Sequence, residues 1–204
     1  GEVLRLAKAR GLTPPPVHTM GIGFTRPPAG TLAKENRLCV LASPFPHKRT
    51  DLAVAWLARW QQASGFSGQI DWVGALPVGL SLPDWKNWRQ HGRLPEPEYR
   101  RLLAQSKALV CFSEYEGFGM PPVEAALAGT CPVFSSIPAT REVMGESGCA
   151  FSNTDYESFR AAMDTALKCP PLQISAWADT LLARHNWDRV LNRFVAGLES
   201  AQMS

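Results

Sequence analysis

The chain has 204 residues, long for one α/β domain and short for two full ones. Its 45% hydrophobic and 19% charged content can bury a core without disulfide or metal staples, and excludes a disordered or fibrous chain. A net charge of +3 suits an anionic ligand, but no Lys/Arg run marks a nucleic-acid surface and no apolar run reaches the ~18 residues of a membrane span.

The first segment, Glu2 to Arg10, reads as a short helix stopped by Gly11, and Pro14-Pro15-Pro16 imposes an extended linker. Residues 1–16 are therefore expected to be a linker or remnant of a preceding domain. The chain starts at Gly1-Glu2 without methionine, as a piece of a longer protein would. Leu38–Ala42 is the first clear strand, followed by the loop Ser43 to Arg49 and a helix from about Asp51. Leu52, Ala55, Trp56 and Trp60 are expected on the core face of that helix. Ile70–Gly74 is the next strand, and Ala75 to Lys86, with two prolines, is a loop or broken helix. Pro95-Glu96-Pro97-Glu98 opens a helix to about Gln105, with Tyr99, Leu102 and Leu103 inward and its early acids at the positive end of the dipole. Ala108–Phe112 has the length and composition of a buried parallel strand.

Cys131–Ser135 and Cys149–Phe151 read as further strands. Ser152-Asn153-Thr154-Asp155 is capping chemistry ahead of a helix from Tyr156 to Lys168. Ile174–His185 and Trp187 to about Ala201 read as terminal helices, the second with an apolar stripe of Trp187, Val190, Leu191, Phe194 and Leu198. Strands alternating with helices predict an α/β, Rossmann-like parallel sheet with helices on both faces. The five cysteines form no C-x-x-C pair and are read as reduced core residues of a cytoplasmic protein.

The stretch Glu114 to Glu124 organises the rest. It joins a strand to a glycine turn and then to the helix former Ala125-Ala126-Leu127-Ala128, stopped by Gly129. Pro121 and Pro122 fit the first helical turn, whose N–H groups have no intrahelical partner. Those N–H groups and the dipole make a place for an anion such as phosphate. Glu124, set among Val123, Ala125, Ala126 and Leu127, is either a dipole-complementing acid or a half-buried carboxylate that needs hydroxyl donors. Lys48, at the start of the first helix, sits beside the wrong end of that dipole and wants an anion.

Glu116 and Glu124 with seven residues between them, written around Glu116-Gly117-Phe118-Gly119, resemble the signature of the retaining glycosyltransferases of family 4. Gly129 to Ser136 and Ile137 to Val143 follow in the family's order, with Cys131 as a small local departure. The resemblance implies one half of a GT-B fold, the C-terminal donor-binding half, with a nucleotide-sugar-binding domain over residues 17–185. Residues 186–204 are then a helix crossing toward an N-terminal acceptor domain of the same parent chain.

By the same resemblance, Glu116 and Lys48 are the catalytic candidates. Lys48 with Ser43 would meet the donor's diphosphate. Glu116, Gly117, Phe118, Gly119 and Met120 would face the sugar and diphosphate. Glu124 would hold the ribose, and Gly92, Arg93 and Leu94 the nucleobase. Val17 to Gly23 resembles the family's segment that carries an Asn-Gly-Val-Asp type sequence, with Met20 and Gly23 in place of polar residues. His47 is expected to face solvent, Arg49 is an open second phosphate contact, and His91 reads as a structural histidine. Whether Glu116 is a nucleophile or a positioning group is left open.

The implied function is transfer of a hexose from a nucleoside diphosphate sugar, GDP-mannose or a UDP-sugar, to a glycan or lipid-linked acceptor hydroxyl in polysaccharide biosynthesis. The 204-residue piece alone is expected to be inactive. No Asp-x-Asp pair occurs, so no metal and no cofactor beyond the donor substrate is expected. The expected location is cytoplasmic, with peripheral association at the inner membrane face through the rest of the parent, and no nucleic-acid partner. The alternative is a non-catalytic nucleotide-sugar-binding or protein-interaction module of the same fold.

Overall fold

A computed structural model describes residues 7–12, 21–27 and 32–202. The expected helix over 2–10 is helical at 7–9, and its first residues lie outside the described ones, as do the three prolines and Val17 to Met20. Two compact units are present: Arg26–Leu181, and Gly1–Thr25 with Leu182–Ser204.

The larger unit is built on six strands: β1 (Arg37–Leu41), β2 (Gln69–Val73), β3 (Trp88–His91), β4 (Ala108–Cys111), β5 (Cys131–Ser135) and β6 (Cys149–Phe151). They lie in the order β3-β2-β1-β4-β5-β6, with every pair parallel. The helices are α1 (Thr50–Ser64), α2 (Glu96–Gln105), α3 (Met120–Leu127), α4 (Pro138–Met144), α5 (Tyr156–Lys168) and α6 (Pro171–Arg184), with α7 (Trp187–Gln202) in the smaller unit.

Period-2 alternation sorts the strand residues between two faces. Leu38, Val40, Ile70, Trp72, Val110 and Val133 form one core with Ala53, Val54, Leu57 and Trp60 of α1 and Phe159 and Met163 of α5. Trp56 closes that core through ring contacts with Phe112 (5.9 Å), Phe151 (6.4 Å) and Phe159 (5.7 Å). The intervening residues Cys39, Leu109 and Cys111 are also buried and point to the other face, where α2 packs on β1 and α3 on β4 and β5. Both faces are covered, which is why the strands read as continuous apolar runs.

The expectation for Ala55 needs correction, and two elements lie outside the sequence reading. Ala55 is exposed; at 100° per residue it falls about 160° from Leu57, on the solvent side of α1. Trp88–His91, not read as a strand from the sequence, is β3, whose exposed Arg89 and Gln90 suit a sheet edge and hide its strand character. Pro138–Met144 forms α4, and α6 begins at Pro171 because proline is accepted in a first helical turn. Four cysteines are buried and Cys169 is partly exposed; all five are free thiols.

In the smaller unit, Gly23 lies against the Trp187 ring, where a Cβ would come within 2.5 Å of Cδ2. Phe24 N–H donates to His185 O at 2.8 Å. Trp187, Leu191, Phe194 and Leu198 are all exposed. No helix among the described residues is long and apolar enough to cross a membrane.

Candidate active site

The strand order reverses between β1 and β4, and in such sheets the crevice outside the carboxyl ends at that point is where ligands bind. The loop after β1 is a built turn. Thr50, 1% exposed, donates from Oγ1 to Ser43 O (2.8 Å) and accepts from Ser43 N–H (3.0 Å). Ser43 Oγ accepts from Phe45 N–H at 3.3 Å, so this hydroxyl shapes the loop. Pro46–Lys48 is a single 3-10 turn. Arg49 then takes φ 48°, a left-handed conformation that costs a residue with a Cβ about 1 kcal/mol.

Partners on the loop after β4 compensate. Arg49 pairs with Glu114 and, at 3.3 Å, with Asp51; the Glu114 hydrogen bond holds its guanidinium even further above its usual pKa. Glu114 N–H donates to His47 O at 2.7 Å. His47 is not free in solvent: its ring stacks on Phe45 (5.9 Å) and meets the Tyr115 edge (6.4 Å). Lys48 Nζ donates to Glu116 Oε1 at 2.6 Å, and Ser113 Oγ donates to the same oxygen at 2.6 Å. The Lys48 and Glu116 side chains are 29% and 17% exposed.

The floor under Glu116 is fixed from the next two strands. Asn153, just after β6, donates from Nδ2 to Phe112 O (3.0 Å) and Ser113 O (3.3 Å), and accepts from Ser135 Oγ at 2.7 Å. Gly119 precedes α3 at φ 87°, and a Cβ there would press on Thr140 Cγ2 at 3.1 Å. No side chain caps α3. Pro121 and Pro122 have no N–H, which leaves Met120 as the one amide donor among the first three residues of α3. The adjoining pocket is lined by Cys111, Ser113, Glu116, Gly119, Pro122, Phe134, Ser135 and Thr140.

Glu124 does not line that pocket. It lies half-buried on α3, where burial pushes its carboxyl pKa up; Arg100 of α2 opposes that shift and Glu96 adds to it. Gly92, Arg93 and Leu94 follow β3 at the same carboxyl edge. Gly74 N–H donates to His91 O (3.1 Å) and Gly92 O (3.2 Å), and a Cβ on Gly92 would meet nothing within 4 Å, so that surface is open. His91 Nε2 lies 2.7 Å from Asp71 Oδ1, a carboxylate only 2% exposed that also faces Arg37 at 3.7 Å. Among the described residues no group of three or more His, Cys, Asp or Glu is placed to hold a metal ion.

The structure thus brings Lys48 onto Glu116 beside the pocket that Glu116 and Gly119 line, with Gly117 and Phe118 in the intervening turn; Ser43 bonds within its own loop, and Met120 opens α3 next to Gly119. Glu124 lies on the α2 side of that pocket and Gly92 to Leu94 two strands beyond β1. Sequence reasoning missed Ser113, Glu114 and Asn153. Ser113 comes two residues after β4 at the carboxyl edge, a position worth reading as functional. Asn153 was absorbed into the capping box, where Asp155 alone caps α5 by accepting from Glu157 N–H at 3.0 Å.

Residues 82–176 match the family model for glycosyl transferases group 1. The chain is 33% identical over 101 residues to the GDP-mannose:cellobiosyl-diphosphopolyprenol alpha-mannosyltransferase of Xanthomonas campestris, covering 46% of this chain and 26% of that protein. It is 26% identical over 163 residues to the O-antigen chain mannosyltransferase RfbU of Salmonella typhimurium, covering 77% and 45%. This chain therefore spans less than half the length of either relative. Among solved structures, TarM superposes with a TM-score of 0.78 at 15% identity, covering 97% of this chain and 42% of TarM. The pneumococcal O-GlcNAc transferase GtfA, solved with UDP and GlcNAc, gives 0.76 at 14%, covering 100% and 44%. At such identities the superpositions speak to fold alone. The fold is thus an α/β, Rossmann-like parallel sheet shared with TarM and GtfA, and residues 82–176 match the pattern of the group 1 glycosyl transferases.

Proposed function

We propose that this chain is the C-terminal, donor-binding part of a retaining family 4 glycosyltransferase that moves a hexose from a nucleoside diphosphate sugar to an acceptor hydroxyl. The observation that carries the reading is the meeting of Lys48, after β1, with Glu116, after β4, at the point where the strand order reverses. β3 lies three strand spacings from β4, about 14 Å. That reach matches an extended nucleotide sugar with its base at Gly92 to Leu94, its ribose hydroxyls on Glu124 and its sugar at Glu116.

In this reading Lys48, the Met120 N–H and the positive end of the α3 dipole face the diphosphate and stabilise the charge that grows as it departs. Glu116, held in place by Ser113, accepts from sugar hydroxyls. Ser43 and Arg49 keep the shape of the Lys48 loop. The mannosyltransferase relatives favour GDP-mannose as donor and a lipid-linked glycan as acceptor. The acceptor side belongs to an N-terminal domain of the parent chain, toward which α7 crosses, at the inner membrane face.

The test is a thermal-shift screen of the chain against GDP, UDP, ADP and their sugars. A ligand at a hundred times its Kd stabilises by ~2.7 kcal/mol. GDP and GDP-mannose are expected to give the largest shifts; no shift with any nucleotide rejects the assignment.

A further inference from the structure

We propose that Glu116 makes the site select glycosylated over free nucleoside diphosphates, by competing with the diphosphate for the ammonium of Lys48. The proposal rests on the donor-site reading above and adds a direction to it. Lys48 has one ammonium and two claimants. Its Nζ bonds Glu116 Oε1 at 2.6 Å, on a carboxylate whose side chain is only 17% exposed. A diphosphate that draws Lys48 toward itself strips Glu116 of its counter-ion and leaves the Ser113 hydroxyl, also on Oε1, as its remaining donor. It also sets a second anion beside that carboxylate, and a half-buried, under-paired charge weakens whatever causes it.

Neither neighbouring loop offers relief. Arg49 is engaged by Glu114 and Asp51. The backbone bond from Glu114 N–H to His47 O, 2.7 Å, ties the two loops together two residues from Glu116 and opposes a retreat of its backbone from the crevice. What can replace the ammonium is a neutral donor carried by the ligand. A hexose brings hydroxyls that bond the carboxylate without competing for Lys48; a free nucleoside diphosphate brings none there. The sugar nucleotide therefore satisfies both groups at once. The nucleotide left after transfer faces an unsatisfied carboxylate, and re-forming the Lys48–Glu116 pair favours its release.

The experiment is calorimetric titration of the 204-residue chain and its variants with GDP and GDP-mannose, and with UDP and UDP-N-acetylglucosamine. Wild type is expected to bind the sugar nucleotide more tightly than the free one. Glu116→Gln should bind the free diphosphate about fivefold more tightly, since it releases one partly buried ion pair, and should lose most of the preference for the sugar form. Unchanged or weaker diphosphate binding by Glu116→Gln, in a variant with wild-type circular dichroism, overturns the proposal. Glu116→Ser provides a second removal of the charge with the same expected sign. Lys48→Ala separates the two levels of argument. If it leaves diphosphate binding intact, the phosphate site itself is misassigned. If it weakens binding while Glu116→Gln gives no gain, only the competition fails.

Discussion

Replacing Lys48 with Ala should weaken a nucleoside diphosphate far more than the matching nucleoside. Two unit charges ~4 Å apart are worth about 4 kcal/mol at an effective dielectric of ~20. Lys48 is partly exposed, which reduces that figure, and it gives up its bond to Glu116 to reach the phosphate. A pair of that exposure returns about 1 kcal/mol. The net loss is then about 2–3 kcal/mol, or roughly 30- to 150-fold in Kd for GDP. Guanosine, which has no phosphate to meet the lysine, should change less than about twofold. Calorimetry with GDP and guanosine on both proteins reads the difference directly. Equal losses for the two ligands would show that Lys48 supports the fold of the crevice rather than the phosphate, and the reasoning would fail.

Other expectations are equally concrete. Glu124→Gln should hurt GDP more than 2′-deoxy-GDP; equal effects count against the ribose assignment. Because burial raises the Glu124 pKa in the folded chain, its charged form opposes folding as pH rises. The Gln variant should therefore melt higher than wild type at neutral pH. That advantage should vanish as pH falls below the ordinary glutamate value of about 4.3, where both side chains are neutral. Arg49→Gly should shift urea stability by less than about 1 kcal/mol, since relief of φ 48° offsets the lost exposed pairs, while Arg49→Val should cost about 2 kcal/mol or more. Equal costs for Gly and Val would mean the left-handed backbone is not what limits that position. Asp71→Ala should cost about 3 kcal/mol in the same assay, because it leaves Arg37 and His91 facing a buried gap. A loss under 1 kcal/mol would mean the buried carboxylate is replaceable by water.

Strands β1, β2, β4 and β5 were legible because both-face burial writes them as short apolar runs, and β6 because its three residues are all apolar although Ala150 is exposed. β3 was not, because only Trp88 among its four residues is buried. In the candidate site, what the sequence singled out and the structure brings together is Glu116, the glycine turn and Lys48. Its partner choices were not. Nothing in sequence separation announces that Lys48 bonds Glu116, that Arg49 takes Glu114, or that Asn153 reaches back to the end of β4. Those contacts follow from the parallel sheet order, which sets three distant loops side by side. His91 shows the same limit: its structural character was readable, its carboxylate partner one strand away was not.

The order of synthesis gives that sheet a further property. β1, β2 and β3 neighbour one another in both chain and space, and so do β4, β5 and β6. The one strand pairing that joins these two wings is that of Leu38 to Val40 with Ala108 to Val110. It cannot be made until the ribosome has released the fourth strand, so it closes late and at a high loop-closure cost. Lys48 and Glu116 stand on opposite sides of this seam, one from each wing. A molecule gripping both would staple the wings together, so hydrogen exchange along β1 and β4 should slow on its arrival more than exchange along β3 or β6.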